Sequence, residues 1–421
     1  MSQRIGFVST RFAGTDGVSL EASKWAQVLE DRGDLCFWFA GQLDRKSDRC
    51  FLVPEAHFKY DQNKWINDRI FGHTARRSSV TETIHALKAI IKVQLSEFIE
   101  NYNIDVLIAA NAVTIPLHLS LGIALTELIA ETQIPSIAHH HDFFWERTRF
   151  SVNAAGEYLR MAFPPLLPSI KHVVINTAAQ EELALRTGIS SIVIPNVLDF
   201  ENPPQVDEQQ TRAFRESIGF SPDDILILQP TRIVQRKGIE HAISLVENLG
   251  HTRFKLLISH EAGDEGYDYA EWLKEDARKR GVDLRLLGVH MSDPIHNHSN
   301  CKGKLSLWDV YPHADFITYP SLYEGFGNAF LEAVYFKKPL LINRYATFVR
   351  DIEPRGFDLV VMDGYLTGKN VQSVREILEN SARRTKMVDH NYQVALRHYA
   401  YSGLRRWLGT LMIDIYGVNK K

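Results

Sequence analysis

Cysteine is scarce in this chain of 421 residues: Cys36, Cys50 and Cys301 are odd in number and far apart. They offer no disulfide framework and no metal-ligand spacing, which fits a reducing compartment. Net charge is low as well, at −3, so no global attraction to nucleic acid or to an anionic membrane is expected. An anionic ligand has to be held by local groups. The start, MSQRIGFVST, lacks the apolar stretch of a signal peptide, and a cytoplasmic location is expected. Residues 106–126 carry no charged side chain and are long enough to suggest a membrane span. Asn111, Thr114, Pro116, His118 and Ser120 interrupt them, however, and they read as a buried strand over 106–110 followed by a helix, not as a transmembrane segment. With 45% hydrophobic and 24% charged residues, the composition is that of an ordinary globular protein of two or three domains.

What is present is an alternation. Strand-like runs at 4–9, 35–40, 106–110, 136–138, 173–175 and 192–194 are separated by helical patterns at 19–30 and 81–101. A second series follows at 225–229, 255–259, 284–287, 316–319, 339–343 and 359–362. Short continuous apolar runs between helices predict parallel sheets covered on both faces. The pattern breaks at Pro195-Asn196, and residues 199–223 are polar and contain Pro203 and Pro204, as in a linker. The expected organisation is an α/β chain with a Rossmann-like domain over 1–198, a linker over 199–223 and a second Rossmann-like domain over 224–390. A helical segment over 391–421, part of one pattern spanning 387–415, is expected to pack back on the first domain. In doubly wound sheets ligands bind at the carboxyl ends of the strands, so a cleft between facing domains is the expected site.

The strongest local signal is the run from Pro320 to Glu332, PSLYEGFGNAFLE. It follows a strand, passes through Gly325-Phe326-Gly327 and opens a helix at Asn328. Glycines let a backbone approach a ligand closely, and the amides of a helix start favour phosphate oxygens. Glu324 lies on the loop side of those amides and Glu332 about one turn into the helix, which matches a sugar on one side of a diphosphate and a ribose on the other. An acidic helix start favoured by the macrodipole alone is the plainer alternative.

A second signal, Pro230 to Gly238 (PTRIVQRKG), follows the 225–229 strand. Arg232 and Lys237 offer a fork and a point charge for a diphosphate leaving group; a solvated basic loop is the alternative. The third signal is His139-His140-His141-Asp142 at a strand end. Alternation puts His139 and His141 on one side, so a metal site is conceivable, but no Cys or acidic partner has ligand spacing. A histidine there can instead hydrogen-bond a sugar hydroxyl or be structural. Phe143-Phe144-Trp145-Glu146-Arg147 suits either a sugar ring or core packing. Arg11, Arg147 and Arg149 are candidates for binding an anionic acceptor, unless they merely pair with Asp16, Asp142 and Glu146.

In this order and spacing the three signals resemble glycosyltransferase family 4, and the resemblance covers nearly the whole chain. Glu324 and Glu332 resemble its E-x7-E pair, Arg232 and Lys237 its diphosphate-binding residues, His141 its active-site histidine and Gly17 the last glycine of its first loop. Val193-Ile194-Pro195-Asn196-Val197 resembles the segment entering its linker, and Asn391 with Tyr399-Ala400-Tyr401-Ser402 its returning C-terminal helix. The resemblance implies a GT-B fold and a retaining, metal-independent hexosyltransferase that needs no cofactor. His141, Arg232, Lys237 and Glu324 are then the catalytic candidates. Gly17, Gly325, Phe326, Gly327, Asn328 and Glu332 join Arg232, Lys237 and Glu324 at the donor, with GDP-mannose or UDP-glucose expected. Arg11, Asp142, Trp145 and Arg147 are expected at a small acceptor.

The sequence departs from the family at Asp16-Gly17, where paired glycines are usual, at Lys337-Lys338-Pro339, and at Asn343-Arg344-Tyr345 in place of a glycine-rich strand exit. The last of these, with the 145–168 region, resembles transferases making mannosyl or glucosyl glycerate-type solutes. A GT-B epimerase or phosphorylase, and a non-catalytic sugar-nucleotide-binding subunit, are the alternatives.

Overall fold

The uncharged, branched and aromatic runs form strands that stack edge to edge, because residues of that kind fit a pleated surface buried on both faces. The computed structural model describes residues 2–14, 16–45, 48–204, 208–259, 267–287 and 307–416; Cys301 lies outside them. Two compact units emerge. One runs to Pro195 and is joined by the chain from Leu404 onward; the other is Asn196–Gly403.

In the first unit the strands are β1 (Arg4–Val8), β2 (Leu35–Ala40), β3 (Cys50–Leu52), β4 (Val106–Ala110), β5 (Ser136–His140), β6 (Ile170–Val174) and β7 (Ser191–Val193). They lie in the order β3-β2-β1-β4-β5-β6-β7, all parallel. Between them run α1 (Gly17–Asp31), α2 (Asp61–Ile70), α3 (Ser78–Tyr102), α4 (Leu119–Thr132), α5 (Gly156–Ala162) and α6 (Thr177–Thr187). The inner stripe of α3, Ile84, Leu87, Ile91, Leu95 and Phe98, is fully buried, as three- and four-residue spacing on a helix requires. Residues 106–126 divide into β4, a loop and the start of α4, and no helix among the described residues is long and apolar enough to cross a membrane.

The second unit repeats the plan. Its strands are β8 (Ile225–Gln229), β9 (Phe254–Ile258), β10 (Asp283–Leu286), β11 (Phe316–Tyr319), β12 (Leu340–Asn343) and β13 (Val360–Met362). Their order is β10-β9-β8-β11-β12-β13, again parallel. The helices are α7 (Glu208–Ser217), α8 (Ile239–Leu249), α9 (Tyr267–Lys279), α10 (Leu307–Val310), α11 (Asn328–Tyr335), α12 (Gly368–Glu379) and α13 (Ser381–His398); α14 (Tyr401–Tyr416) follows. In each sheet the progression of the strand order reverses once, between β1 and β4 and between β8 and β11. Chains leaving adjacent strands at such a switch point diverge and open a crevice.

Two expected boundaries are corrected. Residues 199–223 are not a plain linker: they contain α7, whose Phe214 is buried and whose Arg215 donates to the His313 carbonyl (3.1 Å). A helix with so narrow an apolar stripe reads as polar sequence. The expected helix over 387–415 is broken at Tyr399-Ala400, where the Leu198 amide donates to the Tyr399 carbonyl (3.0 Å) and Leu198 bridges Ala400. Asn391 binds the Asp358 backbone through both ends of its amide (2.7 Å each). Residues 391–403 therefore stay with the second unit, and only the chain from Leu404 groups with the first.

Candidate active site

The two strongest sequence signals leave adjacent strands at the switch point of the second unit. The segment after β8 carries Arg232 and Lys237; the segment after β11 carries Glu324 and opens α11. They interlock: Leu322 N–H donates to the Arg236 carbonyl (2.8 Å) and the Arg236 guanidinium to the Tyr323 carbonyl (3.1 Å). Gly238 starts α8 at φ 61°, and a Cβ there would lie 2.5 Å from the Pro320 carbonyl oxygen. Gly327 caps α11 at φ 112°. Both conformations and this close approach call for glycine.

Lys237 is not a solvated cation. It is 8% exposed and its ammonium pairs with Glu324 Oε1, while Arg236 lies 3.5 Å from Glu324 Oε2. Burial pushes the Lys237 ammonium below its ordinary range, although Glu324 opposes the shift. Burial alone would push the Glu324 carboxyl up; Lys237, together with hydrogen bonds from Ser321 and Tyr319, outweighs it and holds Glu324 below the usual carboxylate range. Glu324 is therefore charged at neutral pH, in contact with Lys237 and largely out of water. Arg232 and Arg236 are exposed. Glu332, half-buried, accepts from the buried Tyr311 hydroxyl (2.8 Å), and Asn328 Oδ1 accepts from the Asn196 amide (2.8 Å). The Phe326 ring is buried edge-on against Tyr399, with centroids 5.6 Å apart, so any contribution of Phe326 to a ligand comes through its backbone.

In the first unit, β5 ends in the histidine run. His139 and His141 do share a side, with ring centroids 4.5 Å apart. His139 stacks on Trp25 at 4.1 Å. His140 points the other way, with its ring nitrogens 2.6 Å from Thr114 Oγ1 and 3.0 Å from His172 Nδ1. Among the described residues, no group of three or more His, Cys, Asp or Glu is placed to hold a metal ion. Burial pushes His141 down to about 4 despite the nearby carboxylates of Asp142 and Asp16, so its ring is neutral at pH 7. Its Nε2 is buried without a hydrogen-bond partner among the described residues.

Gly17 is the exposed first residue of α1, and the Asp16 carboxylate caps that helix by accepting from Val18 and Ser19 (both 3.1 Å). Asp16 thus supplies an N-cap. Arg11 pairs with Asp16 (2.8 Å) and Arg147 with Asp142, which is the ion-pair alternative for these arginines. Trp145 stacks on the fully buried Phe143 at 4.5 Å, with Arg186 over its ring, which is packing. A cavity of about 120 Å³ lies beside Arg11 and is also lined by Ser9, Asp16, Phe58, Asn111 and Leu117. Sequence reasoning missed Phe58, Asn111 and Leu117. Asn111 carried a signal, as the polar residue directly after β4; it sits at φ 58° and its side chain joins the His141 amide (3.1 Å) to the Asp142 carboxylate (3.2 Å).

Comparison with known proteins shows the family of the chain. The model of the glycosyl transferases group 1 matches residues 210–394. A mannosylglucosylglycerate synthase of Thermotoga maritima is 33% identical over 437 residues, spanning 95% of this chain and 97% of that one. The chain belongs to the group 1 glycosyl transferases. A mannosylglucosylglycerate synthase of Petrotoga mobilis is 34% identical over 385 residues, 85% of this chain and 86% of its own. Among solved structures, a glycosyltransferase of Rickettsia africae aligns with a TM-score of 0.70 at 14% identity, covering 99% of this glycosyltransferase and all of that chain. Sucrose-phosphate synthase of Thermosynechococcus elongatus gives 0.67 at 14%, over 99% and 100%. Anabaena HepE, solved with UDP-glucose, gives 0.66 at 12%, over 98% and 99%. Likenesses of that kind establish the GT-B fold.

Proposed function

We propose that this glycosyltransferase moves a hexose from a nucleotide-diphosphate sugar onto a glycosylated glycerate, retaining the anomeric configuration and using no metal. The observation that carries the acceptor class is the 33% identity over 95% of the chain to a relative whose name denotes a product with mannosyl, glucosyl and glycerate parts. That product makes GDP-mannose the first donor to test and UDP-glucose the second.

In this reading the second unit holds the donor. Glu324 accepts hydrogen bonds from sugar hydroxyls and Glu332 from the ribose diol. Arg232, Lys237 and the amides at the start of α11 meet the charge that develops on the departing diphosphate. The bond from the sugar C1 to the phosphate oxygen breaks, the acceptor hydroxyl bonds to C1 on the same face, and its proton passes to the departing phosphate. Neutral His141 hydrogen-bonds a donor hydroxyl without adding charge beside a forming cation. The first unit holds the acceptor, whose carboxylate is drawn to the Arg11 fork beside the 120 Å³ cavity and shares it with Asp16. Asp142, Trp145 and Arg147 flank the acceptor. Neither the epimerase or phosphorylase alternative nor the non-catalytic one gains support from these relatives.

A thermal-shift screen with GDP-mannose, UDP-glucose, UDP-N-acetylglucosamine and ADP-glucose identifies the donor, since a ligand at 100 times its Kd stabilises by about 2.7 kcal/mol. Product formation is then followed with glucosylglycerate and with neutral methyl glucoside, with and without EDTA. Turnover only with the glycerate glycoside and unaffected by EDTA is expected. Preference for the neutral acceptor rejects the acceptor class, and loss on chelation, restored by a divalent ion, rejects the metal-free mechanism.

A further inference from the structure

Asn343-Arg344-Tyr345-Ala346-Thr347 is the segment that ends β12 and leaves it. Its side chains grip the back of the loop that leaves β11. The Asn343 amide donates to the Ser321 carbonyl (3.1 Å). The Thr347 hydroxyl is shared between the carbonyls of Glu324 (3.1 Å) and Gly325 (3.2 Å), and the Tyr345 hydroxyl donates to the Phe326 carbonyl (2.9 Å). All three gripping residues are buried, and Asn343 is itself fixed by the Gly364 amide (2.8 Å).

A peptide unit is planar and trans, so a carbonyl and the N–H that follows it point in opposite directions. Holding the carbonyls of Glu324, Gly325 and Phe326 on one side therefore turns the N–H groups of Gly325, Phe326 and Gly327 to the other. The rule is visible at Ser321, whose carbonyl meets Asn343 while the Leu322 N–H of the same peptide unit donates to the Arg236 carbonyl. Tyr345 constrains the loop further, because a Cβ at Gly327 would lie 2.3 Å from its hydroxyl.

We infer that Asn343, Tyr345 and Thr347 are positioning residues that aim three successive amides at the β-phosphate of the bound nucleoside diphosphate. Successive amides directed at one point form an anion-binding concavity, and these side chains shape it without touching the ligand. The inference rests on the proposed reading of the 324–328 loop as the diphosphate cradle.

Calorimetric titration of the full chain with GDP and UDP, and with GMP and UMP, tests it. Tyr345→Phe and Thr347→Val each remove one hydroxyl and keep the bulk. Each is expected to weaken nucleoside diphosphate binding about three- to tenfold, with monophosphate binding unchanged, and Thr347→Ser is expected to restore it. Equal losses for mono- and diphosphate, or no loss, overturn the inference and leave the cradle standing. A wild type that binds no nucleoside diphosphate overturns the cradle reading, and the inference with it. If Tyr345→Phe yields too little folded protein, the Val and Ser variants of Thr347 decide the matter.

Discussion

At the residue scale, on the proposed reading, the Lys237–Glu324 pair joins stability to chemistry. Removing one partner of a buried ion pair leaves an uncompensated charge, so Lys237→Ala is expected to cost about 3–5 kcal/mol in the second unit. The pH dependence follows in sign. Glu324 is held below its ordinary value, so its contribution is present above an unfolded pKa of about 4.5 and is lost as pH falls through the lower folded value. Without Lys237 the strongest opposition to burial is gone and the carboxyl rises. The acid limb of the kcat/KM profile should therefore move to higher pH in Lys237→Ala. Denaturant midpoints and pH–rate profiles check both parts, and Lys237→Met with Glu324→Gln should recover stability but not turnover. Arg232→Ala serves as the contrast. That side chain is exposed, so turnover should fall roughly tenfold to a thousandfold with the midpoint unmoved. A stability loss under 1 kcal/mol in Lys237→Ala would show that the pair is not buried as described.

At the scale of elements, α8 begins against the end of β11, and Gly238 is the point of contact. An alanine there has to bear φ 61° and place its Cβ 2.5 Å from the Pro320 carbonyl oxygen. Gly250 ends the same helix at φ 69°, yet a Cβ there meets nothing nearer than 3.9 Å. Gly250→Ala should therefore show the backbone cost alone, about 1 kcal/mol. Gly238→Ala should cost more and also weaken donor binding, because the two loops are pushed apart. Urea midpoints of the two variants, together with donor Kd, decide it; equal midpoints would remove the close approach from the argument. These loops were legible in the sequence because each motif directly follows an apolar strand, and strand ends at a switch point are where such loops meet. Their interlocking was not legible. Lys237 and Glu324 are far apart in sequence, and nothing local says that Asn343, Tyr345 and Thr347 turn back on residues 321–326. The helix α7 was hidden by its polar composition, and β3 was missed as well. Composition could not choose between sugar stacking and core packing for Trp145, because both use an aromatic ring; the stacked Phe143 settles its surroundings.

At the scale of the whole molecule, the buried imidazoles among the described residues are concentrated in one unit. His118, His139, His140, His141 and His172 all belong to the first, and burial pushes each below its ordinary value, to about 4 for His118, His141 and His172. In the second unit His313 is similarly pushed to about 4, chiefly by burial. A histidine kept neutral in the folded state binds its proton only on unfolding, so between pH 6.5 and 4 the unfolded chain holds more protons. Stability then rises with pH across that window and falls as the solution is acidified. Each such histidine contributes about 1.4 kcal/mol per pH unit inside the window. The first unit should therefore open at a higher pH than the second during acid titration. Hydrogen exchange followed from pH 7 to pH 4 should show amides of β4, β5 and β6 losing protection before those of β8, β11 and β12, and calorimetric unfolding at pH 5 should take up several protons. On the proposed reading donor binding depends mainly on residues of the second unit and should outlast turnover, which also needs neutral His141 in the first. Simultaneous loss of protection in both sheets, or unfolding at pH 5 without proton uptake, would show that the histidine cluster does not set the acid limit.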